Sequence, residues 1–258
     1  NPPTLADFIR RDLRWCNGNC QATRLQTMRG MAPLSRFHLF TAAAMYFGGP
    51  AWIVMMLAAG WKLASGEGGI DVALGTVVFF GMLSVALAPK IAGVVDAVLT
   101  LGRVAAFGGK RRLAASVAAE FALSTLMAPV VAFQVTVFLA GLALGQRVSW
   151  SGQNRDASGV EWRDAARGFW PQTLFGLAVL GLVLGFGGWV ALAWAAPVLL
   201  GLCLAIPYAV VTASPAVGAW AKRVGLCAIP EEIAPADALL RLAAPASPEP
   251  PLEPLQAA

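Results

Sequence analysis

Between Leu39 and Trp61 the chain runs 23 residues without a charged side chain. At about 1.5 Å per helical residue, that length crosses the roughly 30 Å hydrocarbon core of a bilayer with some tilt. Apolar runs return over Ile70–Ala88, Leu113–Gly145 and Thr173–Ala213, interrupted by charge at Asp71 and Glu120 alone. In lipid every backbone N–H and C=O must be bonded within the segment, so such runs fold as helices. A transmembrane β-barrel needs period-two alternation, and these runs are continuous. Composition agrees: 13% of the residues are charged, against about 25% in a soluble domain. The fold class read from this is all-α: a polytopic helical membrane domain with interfacial amphipathic helices.

The same numbers exclude other classes. Disorder needs low hydrophobicity, and 58% of this chain is hydrophobic. The net charge of +5 does not make a nucleic-acid binder, because the 19 Lys and Arg lie in short clusters between apolar runs. Cys16 and Cys20 form a C-x3-C pair with no second pair or His at ligand spacing, so no metal site is read. Cys203 sits in an apolar run as a small core residue. The chain opens with Asn1-Pro2-Pro3 and no signal-peptide pattern, and is read as part of a longer protein with a preceding domain.

Seven segments follow. Residues 1–37 are basic and amphipathic. Thr4 is placed to cap a helix whose apolar face is Leu5, Phe8, Ile9 and Leu13. Residues 38–89 read as two transmembrane helices, with a kink at Gly48-Gly49-Pro50 and an end at Pro89-Lys90. Residues 90–112 read as an interfacial amphipathic helix. Residues 113–145 carry one charge, Glu120, and a proline, Pro129. They read as broken or re-entrant membrane helices, or one long tilted helix. Residues 146–171 are a polar loop, residues 172–213 two further spans, and residues 214–258 a cytoplasmic tail with a disordered Pro- and Glu-rich end. Placing every basic segment on the cytoplasmic side requires residues 113–145 to make no single net crossing.

The densest polar feature is Arg10-Arg11-Asp12-Leu13-Arg14-Trp15. On a helix Arg11 and Arg14 share a face at i, i+3, and Trp15 joins Arg11 at i, i+4. Two guanidiniums suit a diphosphate, which Arg grips with paired hydrogen bonds. An indole offers a flat apolar face to a sugar ring. A positive-inside flank with an interfacial Trp has the same composition. Glu120 is a carboxyl inside an apolar run. It is read as facing the interface or the channel, or as a partner of Arg111 or Arg112. Gln134 is placed to bond sugar hydroxyls or to bridge helices.

Arg11-x-x-Arg14-Trp15 resembles the (Q/R)xxRW motif of the processive family 2 glycosyltransferases. The wider run from Pro2 through Asp7-Phe8, Arg14-Trp15-Cys16 and Gly18-Asn19 to Gln21 resembles one branch, the proteobacterial glucans biosynthesis glucosyltransferases H. The resemblance continues through Ala128-Pro129-Val130, Val148-x-Trp150-x-x-Gln153-x-Arg155-Asp156 and Ile229-Pro230-Glu231-Glu232, covering about residues 1–235. It implies an inverting, processive glucosyltransferase that takes UDP-glucose, extends a periplasmic glucan and passes it across the inner membrane. By resemblance, Arg11 and Arg14 bind the donor diphosphate and Trp15 the acceptor sugar. Trp150, Gln153 and Arg155 form a gating loop. The catalytic base, and a divalent metal (Mg or Mn), are implied upstream of Asn1, so this segment alone is expected to be inactive. A β-1,2 linkage and an acyl carrier protein partner are implied in the same way. The competing reading is a fragment of a secondary transporter or channel. It accounts for the spans but not for the Arg-Arg-Trp helix.

The topology is testable. A single Cys at Ser158, in an otherwise Cys-free protein, should stay unlabelled by a membrane-impermeant thiol reagent in cells with a permeabilised outer membrane. Labelling would put residues 146–171 outside.

Overall fold

The computed structural model describes residues 2–66, 71–146 and 159–243. Among these there is no strand, and the fold is all-α. Helix α1 spans Leu5–Ala22, and a 3-10 turn over Thr23–Thr27 leads to α2, Pro33–Ser65. Helix α3 is Val72–Leu99, α4 the single turn Arg103–Ala106, and α5 Lys110–Ala143. Helix α6, Trp162–Leu182, passes through a π segment at Val183–Gly187 into α7, Gly188–Cys203. Then come α8 (Ala205–Thr212), α9 (Pro215–Val224), α10 (Pro230–Ile233) and α11 (Asp237–Ala243). Among the described residues four helical stretches are long and apolar enough to cross a membrane: Pro33–Ser65, Ala73–Leu99, Lys110–Ala143 and Trp162–Cys203.

Helices α6 and α7 form an antiparallel hairpin that turns at Gly188, where φ is +67°. Helix α2 runs parallel to α6: Gly60 lies against Leu182, and Leu63 against Gly187. Helix α3 stands apart, with Phe79 stacked on Trp194 at 5.6 Å. The end of the bundle that holds the α6–α7 turn is called the far end below; α1 packs at the other, near end.

Three boundaries differ from the sequence reading. Pro89 does not end a span, because α3 continues through it to Leu99. Residues 90–112 are therefore the last turns of α3, the turn of α4 and the start of α5, not one interfacial helix. Pro129 does not divide residues 113–145: of the two alternatives the single long helix is the one found, since α5 is unbroken. Residues 162–171, read as loop, are the first turns of α6, and bury Ala165 and Phe169. The first two share a physical reason: a proline removes one N–H, and in a weakly hydrated helix the remaining ladder has no competing water, so the chain stays helical. The third stretch is polar on one side only, and is held as helix by the packing of Ala165 and Phe169.

Helix α5 is laid across the near end. Its Leu126 and Pro129 meet Gly201 of α7, and Ala132 meets Gly49 of α2. The Leu123 carbonyl accepts from the Tyr208 hydroxyl, and Ser124 and Glu120 accept from Lys90. Gly201, Gly49 and Lys90 each lie about 20–27 Å along their helices from the far end. These partners are met in turn along more than a dozen residues of α5 while staying near one level. By length α5 could cross a bilayer; by its contacts it runs crosswise. The closest approach is at Gly201, where a Cβ would stand 2.4 Å from both Leu126 O and Pro129 Cγ. Gly201→Val should therefore force α5 and α7 apart and destabilise the bundle by about 1–3 kcal/mol, read as a lowered unfolding midpoint in detergent.

Candidate functional site at the near end

Helix α1 begins at a formed cap: Thr4 Oγ1 accepts the Asp7 N–H at 3.1 Å and donates to Asp7 Oδ2 at 2.7 Å. Arg10 closes on the same carboxylate at 3.4 Å. Leu5 and Ile9 pack in one cluster with Val130 of α5, Ala165 and Phe169 of α6, and Ala205 and Ala209 of α8. Two turns on, the fully buried Cys16 packs with Tyr46 of α2 and Val135 of α5. The helix is thus held along one face by four others.

That face fixes where the motif points. At about 100° per residue, Arg11 and Arg14 fall roughly opposite Ile9 and Cys16, and Trp15 lies on the flank between. Trp15 is 65% exposed although it is the largest side chain of the helix. The Arg11 guanidinium lies over the Phe8 ring, 5.2 Å from its centroid, a cation–π contact that restrains the side chain. The structure therefore brings Arg11, Arg14 and Trp15 together on the side of α1 turned away from the helices that hold it. Two planar cations beside an indole can grip an anion and stack a ring.

Beneath the motif lies a polar layer that the sequence reading passed over. Asn19 shares a side-chain hydrogen bond with Tyr46, and Cys16 one with Cys20. Burial raises the Asp12 carboxyl above its ordinary value, with Arg11 opposing. Burial, with Cys20 and Asp12 adding to it, pushes the Cys16 thiol up to about 12. Cys16 is thus a protonated packing residue and not a nucleophile. The 3.6-residue spacing of Asp12, Cys16 and Asn19 was the available signal.

The other predicted residues are placed separately. Trp150, Gln153 and Arg155 lie outside the described residues. Glu120 pairs with Lys90, Nζ to Oε1 at 2.5 Å, and not with Arg111 or Arg112. Lys90 also donates to Ser124 Oγ and lies over the Phe121 ring. Gln134 is half-buried on α5. A different glutamine is the notable one: Gln172 is fully buried, and neither amide atom has a hydrogen-bond partner among the described residues. The spacing of Phe169, Gln172 and Gly176 puts it on the packed face of α6. An unbonded buried polar group costs about 1–3 kcal/mol, and an amide there can bond a water or a hydroxyl. Among the described residues no three His, Cys, Asp or Glu side chains group to hold a metal ion. This donor set does not fit a divalent cation.

No family model matches the chain, and no solved structure matches it. Curated proteins do. The chain is 33% identical to glucans biosynthesis glucosyltransferase H of Xanthomonas euvesicatoria pv. vesicatoria, over 93% of this chain and 40% of that protein. It is 31% identical to the protein of that name from Xylella fastidiosa, over 94% of this chain and 40% of the other. The Vibrio cholerae protein is 30% identical, over 90% and 34%. The chain thus spans about 40% of the length of the first curated relatives it matches. Over nine-tenths of its length, this all-α chain with four long apolar helical stretches is homologous to part of the glucans biosynthesis glucosyltransferases H.

Proposed function

We propose that this chain is the membrane-embedded part of a processive, inverting glucosyltransferase. In this reading the full-length protein polymerises glucose from UDP-glucose into a periplasmic glucan backbone and moves it across the bacterial inner membrane. The observation that carries the reading is the direction of α1. Its packed face holds it to the bundle, and the opposite side offers Arg11 and Arg14 with Trp15 at its edge, as a donor diphosphate and an acceptor ring require. The names of the homologous proteins support the glucosyl transfer and the glucan product.

The roles divide by chemistry. Arg14, with Arg11, holds the diphosphate of the donor and stabilises the charge that develops on it as the glycosyl bond breaks. Trp15 stacks the terminal sugar of the acceptor and positions its hydroxyl. A divalent ion and the base that deprotonates the acceptor are assigned to other parts of the full-length protein. The crosswise α5 supports a cytoplasmic position for residues 146–171, because a helix lying across one end makes no crossing. Trp150, Gln153 and Arg155 are proposed to gate the donor from that side. Glu120 and Gln134 are proposed to serve the glucan path, and the acyl carrier protein is a proposed partner.

Trp15→Ala in the full-length protein should abolish most glucan synthesis while UDP binding survives, since a ring contact is worth about 1 kcal/mol and the donor keeps its arginines. Arg14→Lys should lower UDP affinity, because a point charge cannot replace a planar fork. Normal synthesis in the first variant, or unchanged UDP affinity in the second, would remove the assignment.

A further inference from the structure

Two basic segments far apart in sequence meet at the near end. Helix α5 opens with Lys110-Arg111-Arg112, and α9 closes with Lys222-Arg223. Gly225, which caps α9, lies against the Arg112 side chain: a Cβ there would stand 3.2 Å from Arg112 Cδ and Nε. The Cys227 N–H extends the contact, donating to Ser116 Oγ at 2.9 Å. Five cations are thereby gathered at one junction, and all five are exposed.

Elsewhere among the described residues several cations are held by a partner. Lys90 is bound to Glu120, Arg103 to Asp96, Arg10 to Asp7 and Arg167 to Asp164. Arg36 donates to the Met28 and Met31 carbonyls. Among the described residues none of the five at the junction has an ion pair or a side-chain hydrogen bond. The acids near them are otherwise engaged or turned away. Glu120 holds Lys90, Glu232 accepts the Ile229 N–H, and Glu231 lines a cleft with Ala105 and Ala106.

A second observation says what covers the junction. On α9, Val217, Trp220 and Val224 form one stripe at i, i+3, i+7, exposed by 39%, 50% and 46%. An amphipathic helix with a Trp on its apolar stripe and cations at its end is the pattern of a segment lying in the headgroup layer. Guanidiniums and ammoniums there meet phosphodiester oxygens, which Arg binds in pairs. A soluble anion would satisfy the cations but leave the stripe in water.

We propose that the junction of α5 and α9 is a binding site for the headgroups of anionic phospholipids. Lys110, Arg111, Arg112, Lys222 and Arg223 engage the phosphodiester, and Val217, Trp220 and Val224 lie among the upper acyl chains. The assignment rests on the apolar helices and this junction, not on glucosyl transfer.

Native mass spectrometry of the full-length protein, released from micelles of mixed phosphatidylglycerol and phosphatidylcholine, tests it. The wild type should retain phosphatidylglycerol selectively. Each cation removed should weaken retention about fivefold, so Arg112→Gln with Lys222→Gln and Arg223→Gln should weaken it roughly a hundredfold. Phosphatidylcholine retention should not change. Trp220→Ser should also lower retention several-fold. Arg112→Lys, which keeps the charge but not the fork, should weaken retention less than Arg112→Gln, and so separates loss of binding from loss of fold. Equal phosphatidylglycerol retention by the triple variant overturns the site. Displacement of the lipid by inorganic phosphate in millimolar excess also overturns it, because the ligand would then be a free anion.

Discussion

The packing of α1 against the middle of α5 is the contact on which the rest depends. Leu5 and Ile9 close on Val130, and Cys16 closes on Val135. Helix α5 can receive α1 on one side only because α2 and α7 approach it closely elsewhere, at Gly49 and Gly201. In a membrane protein such approach is gained by van der Waals contact between small residues, since lipid is as apolar as any side chain. Once α1 is fixed along that line, its opposite side has no choice of direction. The exposure of Trp15 follows from the burial of Cys16 one residue later.

Charge organises the same end of the molecule in a second way. Helix α3 is mostly exposed, and its tie to α5 is polar: Lys90 bridges Glu120 and Ser124 and rests on Phe121. A carboxylate in an apolar helix is expensive when alone, and the pairing explains how Glu120 is tolerated. The junction of α5 and α9 is the opposite case, with cations collected and no acid placed among them. One arrangement joins helix to helix. The other leaves charge for something outside the chain.

Much of this was legible in the sequence. The apolar runs gave the class, and Thr4 gave the start of α1 through its hydroxyl on the Asp7 N–H. The i, i+3, i+4 spacing of Arg11, Arg14 and Trp15 gave their common region of one helix. The prolines misled. Pro89 reads as an end and Pro129 as a possible break, yet both lie inside helices, as do Pro50, Pro171 and Pro197. A rule learned where water competes for the freed carbonyl overstates the break where water is scarce. Gln172 was overlooked because its polarity inside an apolar run is unremarked until its neighbours are known.

The sequence by itself determined that the chain is helical and membrane-embedded, which residues carry the charge, and which of them share a helix face. Those are properties of a single helix, set by composition and the 3.6-residue period. Only the tertiary structure decided that α5 lies crosswise, that Glu120 meets Lys90, that α1 turns its arginines away from the bundle, and that Arg112 meets α9. Each depends on residues far apart in sequence, such as Gly201 against Pro129 or Lys90 against Glu120. The distance at which two helices stop is set by the side chains of both, and no single segment encodes it.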